Sequence, residues 1–178
     1  MGTNPKNGLI GIRIETRTKH QITIKAIARC VFGFFLLFFV LACANEPFYD
    51  VYKSTTNRRW HHHERQTFQV QIDQNNGPYD VWVYIRHTGE YDFANLFFLS
   101  HETGPGLKDT SYRHEFTLAT SDGRWTGKSA GNLYENRRLL KENYTFPDTG
   151  MYTFEIEQNM QENPILDITD VGLKIVRK

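Results

Sequence analysis

The stretch VWVYIRH, residues 81–87, decides the fold class. In an extended chain Val81, Val83 and Ile85 fall on one face, and Trp82, Tyr84 and Arg86 on the other. Both faces are bulky, so the segment reads as a central strand. The same period of two recurs on either side. FQVQID (68–73) sets Phe68, Val70 and Ile72 against Gln69, Gln71 and Asp73. QNNGPYD (74–80) is a turn, punctuated by Asn-Gly and Pro. NLFFLSHE (95–102) is a compact apolar run, broken by Gly-Pro-Gly. YRHEFTLAT (112–120) places Tyr112, His114, Phe116 and Leu118 on one face. MYTFEIEQNM (151–160) does so with Tyr152, Phe154, Ile156 and Met160, and the C-terminal stretch with Val171, Leu173 and Ile175. Only LYENRRLLKENYTF (133–146), rich in charge and Leu, predicts a short helical turn before a strand at Tyr144. Short strands divided by Gly, Pro and Asn, without a long helix, predict an all-β protein. The expected architecture is a jelly-roll-like antiparallel β-sandwich. The pattern alone does not separate a sandwich from a partly closed barrel.

Ahead of this body lies FFVLACAN (38–45), the end of an apolar run from Val31 to Ala42. Twelve residues are too few to span a bilayer, which takes about 20. Residues 1–42 carry six Lys/Arg and one Glu. A basic segment, a short apolar run and a small residue describe a secretory signal peptide. Val40-Leu41-Ala42-Cys43 further matches a lipobox, in which the cysteine thiol is alkylated with diacylglycerol and the peptide is cut just before it. Two acyl chains anchor stably where one is marginal. The expected organisation is a signal peptide over residues 1–42, a lipidated tether over 43–60 and a β-sandwich over 61–178. Phe48, Tyr49, Val51 and Tyr52 would let part of the tether pack as an edge strand. The region ahead of the apolar run is long for a signal peptide, which points to a start codon further along.

Beyond residue 42 the chain holds 15 basic and 19 acidic residues. A mildly acidic body does not resemble a nucleic-acid binder, whose footprint is a basic face. With Cys30 upstream of the cut and Cys43 lipidated, no thiol remains for a disulfide, a metal or catalysis.

Residues with chemical potential are few. His61 and His63 in RRWHHHER would share a face of a strand, a weak metal-ligand geometry without a third ligand. A solvated polar segment explains them as well. No G-x-S-x-G, H-E-x-x-H or phosphate-binding loop occurs. Asp167 and Asp170 have no diagnostic spacing. The sequence calls for no cofactor and no catalytic residue. Trp60, Trp82 and Trp125 would suit a sugar-stacking platform if coplanar and exposed, and Trp125, between Gly123 and Gly127, is the indole expected to be exposed. Arg86, in an apolar strand, requires a carboxylate partner if buried; otherwise it is a contact for an anion or a partner. Arg86 and Trp125 are therefore the candidate interaction or ligand residues.

Four segments in register carry a family likeness: RHTGEYDFANLFF (86–98), GRWTGKSAG (123–131), TGMYTFEIEQNM (149–160) and LDITDVGLKI (166–175). Behind a lipobox they resemble the gliding-motility lipoprotein GldH family of Bacteroidetes. The matching residues are Arg86, Tyr91, Asn95, Gly123, Trp125, Gly127, Gly150, Tyr152, Gln158, Met160, Asp170 and Gly172. Gln161 departs from the basic residue usual after the Met. The resemblance implies a cell-envelope lipoprotein of the gliding or type IX secretion apparatus, with no agreed catalytic residues. Two readings follow. One is a non-enzymatic interaction module anchored in the membrane by Cys43, with protein partners in the envelope and its place at the periplasmic face of the outer membrane. The other is a carbohydrate-binding module for peptidoglycan or surface polysaccharide.

Overall fold

The computed structural model describes residues 1–2, 47–74 and 77–178. Cys43 and the apolar leader lie outside the described residues. The strands in chain order are β1 (Tyr49–Ser54), β2 (Arg59–Trp60), β3 (Gln66–Ile72), β4 (Tyr79–Thr88), β5 (Asn95–Thr103), β6 (Thr110–Thr117), β7 (Lys128–Ala130), β8 (Leu133–Tyr144), β9 (Gly150–Gln158), β10 (Ile165–Leu166) and β11 (Ile168–Arg177).

One sheet has the order β1-β11-β4-β8-β7 and the other β3-β9-β5-β6, with β2 and β10 as a small separate ribbon. The eight longer strands explain this order. β5 and β6 form a hairpin, and outside it β4 pairs β8, β3 pairs β9 and β1 pairs β11, all antiparallel. The chain is thus one long hairpin of strand pairs, wound so that β11 also meets β4 and β9 also meets β5. That winding is a jelly roll. It places inward residues of both sheets in one core, including Phe68, Val83, Phe98, Phe154 and Leu173. β4 is the interior strand expected, hydrogen-bonded to β11 and β8.

Three expectations change. Residues 133–146 form no helical turn: β8 runs from Leu133 to Tyr144 against β4. Cross-strand partners, absent from a local reading, override the helix-like composition. The body also begins before residue 61, because β1 pairs with β11 along its whole length and Trp60 is fully buried. Tyr112, expected inward, is 56% exposed; it lies on β6, the edge of its sheet, with no further strand to cover it.

β8 carries an irregularity with a consequence. Trp82 pairs Leu139, yet Val81 pairs Lys141, so Leu140 is an extra residue. A bulge shifts the side-chain parity of everything beyond it. Glu135, Arg137 and Leu139 share the outer face with Arg86, Tyr84 and Trp82, whereas Lys141 shares the inner side with Val81.

Candidate functional site

Arg86 lies on the outer face of the five-stranded sheet. Its Nε donates to Glu135 Oε2 at 2.7 Å, and its guanidinium stacks 4.0 Å from the Tyr52 ring centroid. The Tyr52 hydroxyl donates to the same Glu135 oxygen at 3.2 Å. Burial, then the Glu135 charge, push the Tyr52 phenol well above its ordinary range. Tyr84, buried, meets Tyr52 edge-on at 5.8 Å. Arg137 lies over Trp82 at 5.1 Å, and Lys174 pairs with Asp50 at 2.8 Å. Of these groups Tyr52, Tyr84, Glu135, Arg137 and Lys174 line a groove of about 380 Å³, walled by Thr126, Gly127 and Lys128. Gly127 permits that wall: a Cβ there would stand 2.6 Å from the Glu135 carbonyl oxygen. Its role is close approach, while Gly123, at φ +81°, supplies the left-handed turn before it.

Trp125 is half-buried. Its ring meets buried His87 edge-on at 4.6 Å and lies 5.9 Å from Tyr134 and 6.4 Å from Tyr91. This box packs on the core. His87 Nδ1 pairs with the Thr88 carbonyl at 2.9 Å, and its Nε2 with Asn136 Nδ2 at 3.3 Å. Burial lowers the His87 pKa, and burial plus the Arg138 charge lower that of His114. The unfolded chain therefore binds protons more readily than the folded one below about pH 6.5. Stability is full above that pH and falls as the pH drops through and below it. The urea midpoint is expected to decrease between about pH 7.5 and about pH 5.5; a flat or rising profile would contradict this.

The other two indoles do not complete a sugar platform. Trp60 is fully buried and Trp82 lies under Arg137. His61 and His63 occupy a turn after β2 rather than a strand, with ring centroids 5.1 Å apart. His62, between them, bonds the Met160 carbonyl at 2.9 Å. Among the described residues no group of three His, Cys, Asp or Glu could hold a metal ion. Asp167 pairs with Arg58 at 3.2 Å and accepts from the Thr88 hydroxyl, while Asp170 accepts from Ser54. They act as separate structural anchors.

A second cleft, of about 290 Å³, opens where β6 and β8 part. Ser100 and Glu102 continue the inward parity of Leu96 and Phe98, so β5 carries polar groups into the sandwich. Glu102 is buried and ion-paired with Lys141, which also caps the Tyr144 ring at 4.0 Å. Burial, then the Glu102 charge, raise the Tyr144 pKa. Ser100 Oγ and His114 Nε2 are 2.8 Å apart. The sequence reading missed this cluster; the parity of Ser100 and Glu102 was the available signal.

The GldH lipoprotein family profile matches residues 47–175. The chain belongs to the GldH lipoprotein family. Among its relatives, a gliding motility lipoprotein GldH homolog of Christiangramia forsetii is 29% identical over 158 residues, 83% of this chain and 96% of that one. The gliding motility lipoprotein GldH of Flavobacterium johnsoniae is 29% identical over 156 residues, covering 82% and 96%. Eiger TNF from S. frugiperda aligns over 72% of this chain and 92% of its own at 11% identity, with a TM-score of 0.31. That last value is too low to bear on fold or function.

In this GldH lipoprotein the residues that carry the family likeness mostly hold the fold together. The Tyr91 hydroxyl donates to the Asn95 carbonyl at 3.1 Å. Gln158, buried, accepts from the Met160 amide at 2.9 Å. Tyr152 bonds the carbonyls of Pro105 and Asp148. Trp125 packs against the core rather than standing free. Gln161, the departure from the family pattern, is exposed.

Proposed function

We propose that this GldH lipoprotein is a lipid-anchored, non-enzymatic component of the gliding-motility and type IX secretion machinery. Acylated Cys43 holds it at the periplasmic face of the outer membrane, and it acts through protein partners in the envelope. The observation that carries this reading is the family match across nearly the whole body, residues 47–175, downstream of Val40-Leu41-Ala42-Cys43. Both curated relatives are named as gliding motility lipoproteins. The clefts favour binding over catalysis. Among the described residues, the groove and the second cleft are each lined by a single carboxylate, Glu135 or Glu102. Glycan hydrolysis would call for two carboxyl groups facing each other about 5–10 Å apart.

Cys43→Ala is the direct test. Without the thiol no diacylglycerol is attached, and the variant is expected to leave the membrane fraction almost completely. Cells carrying it are expected to stop gliding. Retention of the variant in washed membranes would overturn the anchor. Normal gliding by a strain deleted for the gene would overturn the motility assignment.

A further inference from the structure

We propose that the outer face of the five-stranded sheet is a docking groove for an acidic segment of a partner protein, with Arg137 as its carboxylate receptor. Glu135 is the one carboxylate lining the groove, and Arg86 and Tyr52 already share it. Lys174 is neutralised by Asp50. Arg137 and Lys128, both exposed, have no ion pair among the described residues. The groove thus presents two uncompensated cations on a body whose overall balance is acidic.

Arg137 lies over Trp82. Its guanidinium N–H groups make no hydrogen bond among the described residues, which leaves a planar fork that matches a carboxylate bidentately. A second polar group faces the same space. Tyr84 is only 7% exposed and lines the groove, and its hydroxyl makes no hydrogen bond among the described residues.

Two features select a peptide over a sugar. The faces of Tyr52 and Trp82 on this side are covered by Arg86 and Arg137, so neither ring offers a free platform to a pyranose. The groove also borders β7, the short, exposed edge strand of its sheet. An extended segment alongside a free edge makes main-chain hydrogen bonds and turns alternate side chains to one face. Acidic residues two apart would reach Lys128 and Arg137 together.

The test uses the full chain in detergent, titrated into a fluorescein-labelled peptide of alternating glutamate and glycine and read by anisotropy. The wild type is expected to bind saturably. Arg137→Lys, which keeps the charge but loses the fork, is expected to bind at least about tenfold more weakly. Arg65→Lys, an equally conservative change just ahead of β3 in the other sheet, is expected to leave binding unchanged. Thermal melts of both variants check that each is folded. Absence of saturable binding by the wild type would overturn the proposal, as would equal affinities of wild type and Arg137→Lys. Oligogalacturonate or inorganic phosphate displacing the peptide at equal concentration would also overturn it, since the occupant would then be an anionic glycan or a free anion.

Discussion

Trp60→Ala is expected to lower the unfolding free energy by about 3–5 kcal/mol. Trp60 is fully buried in the main core although it stands on a two-residue ribbon strand. Its indole Nε1 donates to the Glu64 carbonyl at 2.7 Å, closing the turn that carries His61 to His63. Its backbone pairs with Ile165, so one side chain ties the start of the body to the β9–β11 connection. Truncation opens a cavity and strips the Glu64 oxygen of its donor. Domains of this kind are stable by about 5–15 kcal/mol, so a fifth or more of the total is at stake. Trp60→Phe is expected to recover much of the packing but not the hydrogen bond. Urea unfolding of the full chain measures both. A change below about 1 kcal/mol for Trp60→Ala would mean that residues 43–60 are a tether throughout.

The second large effect belongs to the pair between the sheets. Lys141→Ala is expected to cost about 3 kcal/mol, and Glu102→Ala clearly less. The side chain of Glu102 is 7% exposed and that of Lys141 26%. An abandoned lysine swings its head to water along its flexible stem. An abandoned Glu102 has no such route and leaves a buried charge unpaired. Replacing both by leucine is expected to restore most of the lost stability, because ion pair and apolar pair are then exchanged whole. Equal costs for the two single changes would indicate that the cleft is wet enough to solvate either group.

The strands were legible because period-two alternation is a local property. Phe68, Val70 and Ile72, Val81, Val83 and Ile85, and Val171, Leu173 and Ile175 all bury as their parity dictates. Alternation misled at Tyr112, whose parity is inward but whose strand is an edge. It failed at β8, where helix-like composition hides a strand held by β4. Part of the outer groove was visible as well. Arg86 stood out as a charge in an apolar strand, but its partner Glu135 lies 49 positions away. Arg137 and Lys128 carried no mark of their own.

The sequence by itself determined the fold class, the core-facing residues of the long strands, the processing site at Cys43 as an expectation, and the likeness to the GldH lipoprotein family. All of these are written in short-range pattern. Tertiary structure decided which charges meet. Glu135 faces Arg86 because β8 pairs β4 in one register, and Lys141 turns inward to Glu102 because the extra residue Leu140 reverses the parity beyond it. Hydrophobic periodicity tells which side of a strand faces the core. Register and bulges are set by packing between distant strands, and they determine what a polar side chain finds when it arrives.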